Sequence, residues 1–245
     1  MRAPGVGRVA ARTTIVPVLA AVSVCHLLND LMQSLLPAAF PVLHRDFSLN
    51  FGQIGLLSLV YQITASILQP LVGLYTDHRP QPYSLPAAML ASMTGLLTLA
   101  FGPDYRTLLL GAALLGLGSS IFHPESSRIA RLASGGAHGL AQSVFQVGGN
   151  VGSALGPLAA AYVVLPHGQH GLAWAAPVGL AGMIVMTAIS RWYRRTGHAT
   201  RSATRAPARH PEISSAQVWG AMAVLVMLLF SKYIYLASIT NYYPF

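Results

Sequence analysis

Residues 14–40 read TIVPVLAAVSVCHLLNDLMQSLLPAAF, an apolar run whose one formal charge is Asp30. Roughly 20 predominantly apolar residues suffice to carry a helix across the hydrocarbon core of a bilayer. This stretch exceeds that length, which reads as a membrane span rather than a core helix of a soluble domain. A carboxylate inside such a span is tolerated only where it faces other polar groups or a water-filled cavity. Around it, only 9% of the 245 residues are charged and 53% are hydrophobic, with a mean hydropathy of +0.54. A soluble domain carries about 25% charged residues, so that class is excluded. The apolar content also excludes intrinsic disorder. Cys25 is the sole cysteine, which excludes a disulfide scaffold.

Six further apolar runs follow, at about Phe51–Tyr75, Ser84–Phe101, Thr107–Ile129, His138–Leu165 and His170–Ser190, and from Val218 onward. The expected fold class is therefore all-α and polytopic, with seven spans. The sequence divides into a basic tail (1–12), a six-span amino-terminal bundle (13–192), a basic linker (193–216) and a seventh span cut short (217–245). The net charge of +9 resides largely in Arg2, Arg8 and Arg12 and in the Arg-rich stretch Arg191–Glu212. Basic segments beside apolar runs mark the cytoplasmic side, so the tail and the linker are expected in the cytoplasm. Partners are then the lipid bilayer and no nucleic acid. The first run is too long for a cleavable signal peptide and contains Asp30.

Polar residues inside the spans are the candidate site. His26, Asp30 and Gln33 follow at i, i+4 and i+7 and share a helix face, with Asn29 beside them. Asp30 lies about 22 Å along the span from Ile15. Two readings stand for it, a functional carboxylate facing a cavity or a fixed polar pairing with His26. The fourth span ends GLGSSIFHPESSRIARLAS, where Glu125 and Arg128 lie at i, i+3. Either they form an interfacial ion pair that snorkels to water, or His123, Glu125 and Arg128 together make a gate or proton relay. In the fifth span, HGLAQSVFQVGGNVGSALGPL, a polar stripe of Gln142, Gln146 and Asn150 recurs every fourth residue, with Gln62 as a thinner counterpart in the second. Gly148, Gly152 and Gly156 form another stripe, the small-residue face that lets helices approach closely. Lys232, with Tyr233 beside it, offers a cation in the seventh span. Too few ligands gather at His123-Pro124-Glu125 for a metal site, and no cofactor is implied.

Several strings are specific enough to carry a resemblance: HLLNDLMQSLLP, FSLNFGQIG, LQPLVGLYTD, GSSIFHPESSRIARLASGG, HGLAQSVFQVGGN and FSKYIYLASI. With them the chain resembles the fosmidomycin-resistance group of the major facilitator superfamily. Gly152-Ser-Ala-Leu-Gly156-Pro157 is similar to the G-x-x-x-G-P signature of drug/proton antiporters. Gly73 and Asp77 resemble the superfamily's loop motif between spans two and three, although Pro80 and Gln81 stand where Gly and Arg are usual. Ala112 stands where span four usually has an arginine, which moves attention to Asp30, Glu125 and Arg128.

The resemblance implies a twelve-span transporter of two halves, of which this chain would carry the first half and one further helix. A membrane-embedded enzyme is disfavoured by the absence of a nucleophile–base pair or metal set, and the resemblance implies a proton-coupled antiporter of the plasma (inner) membrane that exports a small anionic drug or metabolite such as a fosmidomycin-like phosphonate. Asp30, Glu125, His123 and Arg128 would couple protons. His26, Asn29, Gln33, Gln62, Gln142, Gln146, Asn150, Lys232 and Tyr233 would line the substrate path. Gly73, Asp77, Gly148, Gly152, Gly156 and Pro157 would serve packing and gating, and the missing carboxy-terminal half would be the obligate partner. An exporter of sugars or lipophilic drugs is the other transport reading, and a truncated membrane protein without turnover is the third. Cysteines introduced at Ser202 and His167 are expected to react with impermeant thiol reagents from opposite sides of the membrane. Labelling of both from outside overturns the topology.

Overall fold

The computed structural model describes residues 14–79, 81–201 and 214–242. The long helices are α1 (Val16–Ala38), α3 (Phe51–His78), α4 (Ser84–Phe101), α5 (Tyr105–Ala133), α6 (His138–Ala159), α8 (Ala176–Arg201) and α9 (Ser215–Tyr242). Between them lie short helices, α2 (Phe40–Asp46) and α7 (Leu165–His167). Among the described residues there is no strand. Helix starts follow side-chain chemistry. Asn50 and Gln53 close a reciprocal capping box on α3, at 2.8 and 2.9 Å. Asp104 caps α5 by accepting from the Thr107 amide at 2.8 Å, and that bond holds its carboxyl below the ordinary aspartate range.

Contacts at the helix ends fix the direction of each pass. At one end the Ile15 amide donates to the Ala133 carbonyl at 2.8 Å, and Arg128 of α5 meets Asp77 of α3. At the other, Tyr105 at the start of α5 donates to the Gln53 carbonyl near the start of α3 (2.9 Å). There Gln169 also donates to the Leu99 and Gly102 carbonyls at 2.8 Å and reaches Asp46. α1, α3, α4 and α5 therefore run in alternate directions, as membrane passes do.

The apolar run His138–Arg195 is continuously helical and contains no long loop, yet it makes two passes. It begins beside Ser134, whose hydroxyl lies 2.8 Å from the His138 ring. It reaches the far end at Gln169 and returns to place Arg194 5.7 Å from the Tyr83 ring centroid. The reversal sits at Gly168, whose φ of +63° is open to glycine. A π-helical turn, Ala160–Val164, precedes it.

α8 continues as helix to Arg201, past the expected start of the linker at 193. Arg194 and Arg195 extend the helix beyond its apolar face instead of breaking it, as long cationic side chains do at a membrane boundary. The tail, residues 1–13, and residues 202–213 of the linker lie outside the described residues.

Glycines set how close the helices come. A β-carbon on Gly95 of α4 would lie 2.5 Å from the Leu115 amide and 2.8 Å from the Gly111 carbonyl of α5. On α6 a β-carbon at Gly148 or Gly152 would strike the backbone carbonyls of Ser23 and Leu27, and one at Gly156 the Ser34 hydroxyl, all on α1. The core centres on Met32, Leu36, Leu57, Met89, Leu99, Leu115 and Phe122, all fully buried. By contrast α9 approaches α1 but is exposed wherever its side chains are described. Gly152→Leu is expected to cost about 1–3 kcal/mol by overpacking against the Leu27 carbonyl, whereas Gln146→Ala, on the exposed face, spares folding. Thermal unfolding of both variants in detergent checks this. Equal loss of folded protein refutes the two-face assignment.

Candidate functional site

Asp30 stands on the face of α1 that meets α5 and α6. Its Oδ2 lies 3.3 Å from His26 Nε2, one turn earlier on the same helix, and its Oδ1 lies 3.4 Å from His123 Nε2 of α5. Asn29 donates to Oδ1 at 3.1 Å. The His26 side chain is almost wholly buried (2% exposed), Asp30 is 15% exposed and His123 28%. The imidazole of His26 stacks on Phe145 at 3.9 Å between centroids and meets His123 edge-on. Gly149 of α6 makes room for the pair, since a β-carbon there would lie 2.6 Å from His26 Nε2 and 2.8 Å from Asp30 Oδ2.

The far nitrogens decide the chemistry. His26 Nδ1 lies 2.8 Å from the Phe145 carbonyl, and His123 Nδ1 lies 3.0 Å from the Ser119 carbonyl. A carbonyl only accepts, so both Nδ1 atoms carry hydrogen and donate. In the neutral rings each Nε2 then presents a lone pair to the Asp30 carboxylate. Two lone-pair oppositions surround one acid, and each is relieved by one proton. With both contacts filled the cluster has a formal charge of +1; with one filled it is neutral.

Gln33, one turn beyond Asp30, extends the polar path. Its Oε1 accepts from Tyr61 of α3 at 2.8 Å and from Ser119 of α5 at 3.0 Å. Of the residues expected from sequence, His26, Asn29, Asp30, Gln33 and His123 thus come together. Tyr61, Ser119 and Gly149 were not anticipated. Ser119 and His123 at i, i+4 share a face, and that spacing is the signal that would have found Ser119.

His123, Glu125 and Arg128 do not form one group. Positions two residues apart on a helix differ by about 200°, so Glu125 points away from His123. It is 1% exposed, 3.0 Å from Arg128, an ionic contact without hydrogen-bond alignment. Ser84 reaches its other oxygen at 3.4 Å. Arg128 also donates to the Thr76 carbonyl and hydroxyl, at 2.9 and 3.1 Å, and to Asp77. The expected ion pair of Glu125 and Arg128 is present, but its carboxylate is buried and its arginine clamps α3. Asp77 receives Arg128 there, and Gly73 one turn earlier has open space around it.

The remaining expected residues lie elsewhere. Gln142 donates to the Ser127 hydroxyl at 2.9 Å, while Gln62, Gln146, Asn150 and Pro157 are exposed. Lys232 is exposed on α9, 5.6 Å from the Tyr233 ring centroid. Gln146 and Asn150 of the α6 stripe therefore stand on a face that the described residues leave uncovered.

The sequence profile of the Major Facilitator Superfamily matches residues 22–245. The chain is 49% identical over 228 residues to the "Fosmidomycin resistance protein" of Escherichia coli (strain K12), covering 93% of this chain and 56% of that one. It is 46% identical over 181 residues to an "Uncharacterized MFS-type transporter YfnC" of Bacillus subtilis (strain 168), covering 74% of this chain and 44% of that one. The chain thus spans about half the length of the curated relatives it matches. Among solved structures, a peptide transporter POT in complex with sulfate superposes with a TM-score of 0.59 at 18% identity, over 93% of this chain and 47% of that one. That similarity is one of fold.

Arg128→Met leaves the Glu125 carboxylate buried without its cation and is expected to destabilise the bundle by about 3–5 kcal/mol. Adding Glu125→Gln to it should recover part of the loss. Thermal unfolding of the single and double variants measures both. A double variant no more stable than Arg128→Met shows that Glu125 is not the group left uncompensated.

Proposed function

The chain belongs to the Major Facilitator Superfamily, and on that premise we propose that it forms the amino-terminal part of a proton-coupled antiporter that exports a small anionic compound of the fosmidomycin type. The observation that carries the reading is Asp30 held between two imidazoles whose Nδ1 hydrogens are already committed. Such a cluster exists in states differing by one proton inside a membrane span, where ionisable residues mark proton paths. The name of the Escherichia coli relative supports the substrate class. The protein sits in the bacterial inner membrane with its amino terminus in the cytoplasm, as the basic flanking segments favour.

Exchange requires that the protonated cluster bind substrate less well than the deprotonated one. An anion held directly by a protonated His123 would do the opposite. The substrate is therefore assigned to the amide-lined face of Gln62, Gln142, Gln146 and Asn150, with Lys232 from α9, and a carboxy-terminal half would wall the other side. Coupling then acts through packing. When both contacts to Asp30 hold a proton, α1 is tied to α5. When the His123 contact loses it, lone pair faces lone pair and the α1–α5 contact loosens. Alternating access between two halves around a midplane site uses such a change. Glu125, Arg128 and Asp77 act as a latch between α3 and α5 at the cytoplasmic end.

Asp30→Asn keeps the shape of the side chain but cannot take the carboxylate's proton. In the full-length protein it is expected to abolish fosmidomycin movement driven by an imposed pH gradient, with expression near normal. Counterflow of labelled substrate without a gradient should persist. Gradient-driven transport at the wild-type rate in liposomes overturns the assignment of Asp30.

A further inference from the structure

We propose that His26, Asp30 and His123 form a binding site for a divalent transition-metal ion of the Zn2+ or Co2+ type, with Nε2 of both histidines and the Asp30 carboxylate as ligands. The inference goes beyond transport, and it stands or falls on metal binding alone. One ligand atom from each residue lies within 4.8 Å of the others. The spacing is informative. The two imidazole–carboxylate distances are 3.3 and 3.4 Å, longer than the roughly 2.7–2.9 Å of a charge-assisted hydrogen bond. Two ligands each about 2.0–2.1 Å from one tetrahedral zinc lie roughly 3.3–3.4 Å apart, the distance each imidazole keeps from its own oxygen of Asp30, so both carboxylate oxygens would face the ion.

The surroundings fit as well. Histidines that bind a metal through one ring nitrogen almost always donate the other N–H to a carbonyl or carboxylate, which fixes tautomer and ring orientation. Both rings already do so, toward the Phe145 and Ser119 carbonyls. Gly149 keeps the ligand faces of His26 and Asp30 clear, where any side chain would intrude. The greater exposure of His123 and Asp30, against the enclosed His26, provides an entry side and an open coordination position for water. Two imidazoles and one carboxylate favour zinc, cobalt or nickel over magnesium or calcium, which prefer all-oxygen sets. Charge is matched too. A dication on the deprotonated cluster gives +1, the formal charge of the doubly protonated state. A metal ion therefore substitutes for two protons and ties α1 to α5 in their place.

The test uses the intact protein in detergent, purified without a polyhistidine tag. Titration with Co2+, followed by its visible ligand-field absorption, is expected to saturate at one ion per chain, and Zn2+ should displace it whereas Mg2+ should not. Asp30→Asn and His123→Asn are each expected to weaken Co2+ binding by more than about 100-fold, since loss of an outer partner alone typically costs 10–100-fold. His167→Gln, at the exposed turn, should leave it unchanged. Without any substitution, saturating Zn2+ should protect His123 from diethyl pyrocarbonate, read by mass spectrometry. Absence of the Co2+ spectrum overturns the proposal, as does affinity indifferent to both variants or full modification of His123 under Zn2+. Gradient-driven transport measured on the same preparations is a separate readout, so loss of metal binding with transport intact, or the reverse, tells the two readings apart.

Discussion

The backbones of α1 and α6 approach so closely that no β-carbon fits between them at Gly148 or Gly152. In a membrane, helices gain little from hiding apolar surface, because lipid tails are as apolar as leucine. Association depends instead on close van der Waals contact and on polar groups satisfied between helices. The glycine stripe supplies the first condition and thereby makes the second possible. With α6 this near, the Phe145 carbonyl comes within reach of His26, and Gly149 lets imidazole and carboxylate meet without obstruction. A larger residue anywhere along the stripe would separate the helices and take the Phe145 carbonyl out of reach of His26.

α5 performs two tasks because its polar residues fall on different faces. Ser119 and His123 turn toward α1, where they complete the surroundings of Asp30 and Gln33. Glu125 and Arg128 turn toward α3 and α4, where they hold Thr76, Asp77 and Ser84. Rotation or sliding of this one helix would therefore change both groups at once. The glycines at 111, 116 and 118 bring the α5 backbone against the backbones of α3 and α4.

Much of this was legible in the chain. Apolar runs located the membrane passes because length and hydropathy alone decide them, and α4 coincides with the expected Ser84–Phe101. Asp30 and His26 were paired by helical spacing, a purely local property. The reversal at Gly168 hid the boundary between two passes in the structure, yet the polar stretch around His167 and His170 had separated them in the sequence. What spacing could not convey was which span faces which. His123 was grouped with Glu125 because they are neighbours in sequence, whereas its partner stands on α1. Tyr61, an ordinary aromatic within an apolar run, gave no sign of its bond to Gln33. The amides of Gln146 and Asn150 were seen as part of one stripe, but only the packed bundle shows that the described residues leave both exposed while Gln142 is bonded to Ser127.

The position of His26 has a meaning for biosynthesis. α1 leaves the ribosome and enters the bilayer while α3, α4 and α5 are still to be made, so His123 does not yet exist when Asp30 must cross into hydrocarbon. An acid alone there is costly. His26 sits one turn away on the same helix, 3.3 Å from the carboxylate, and a single proton shared between them makes the pair neutral. The nascent helix thus carries its own counterpart through insertion, and the later arrival of α5 adds a second imidazole to a carboxylate already accommodated.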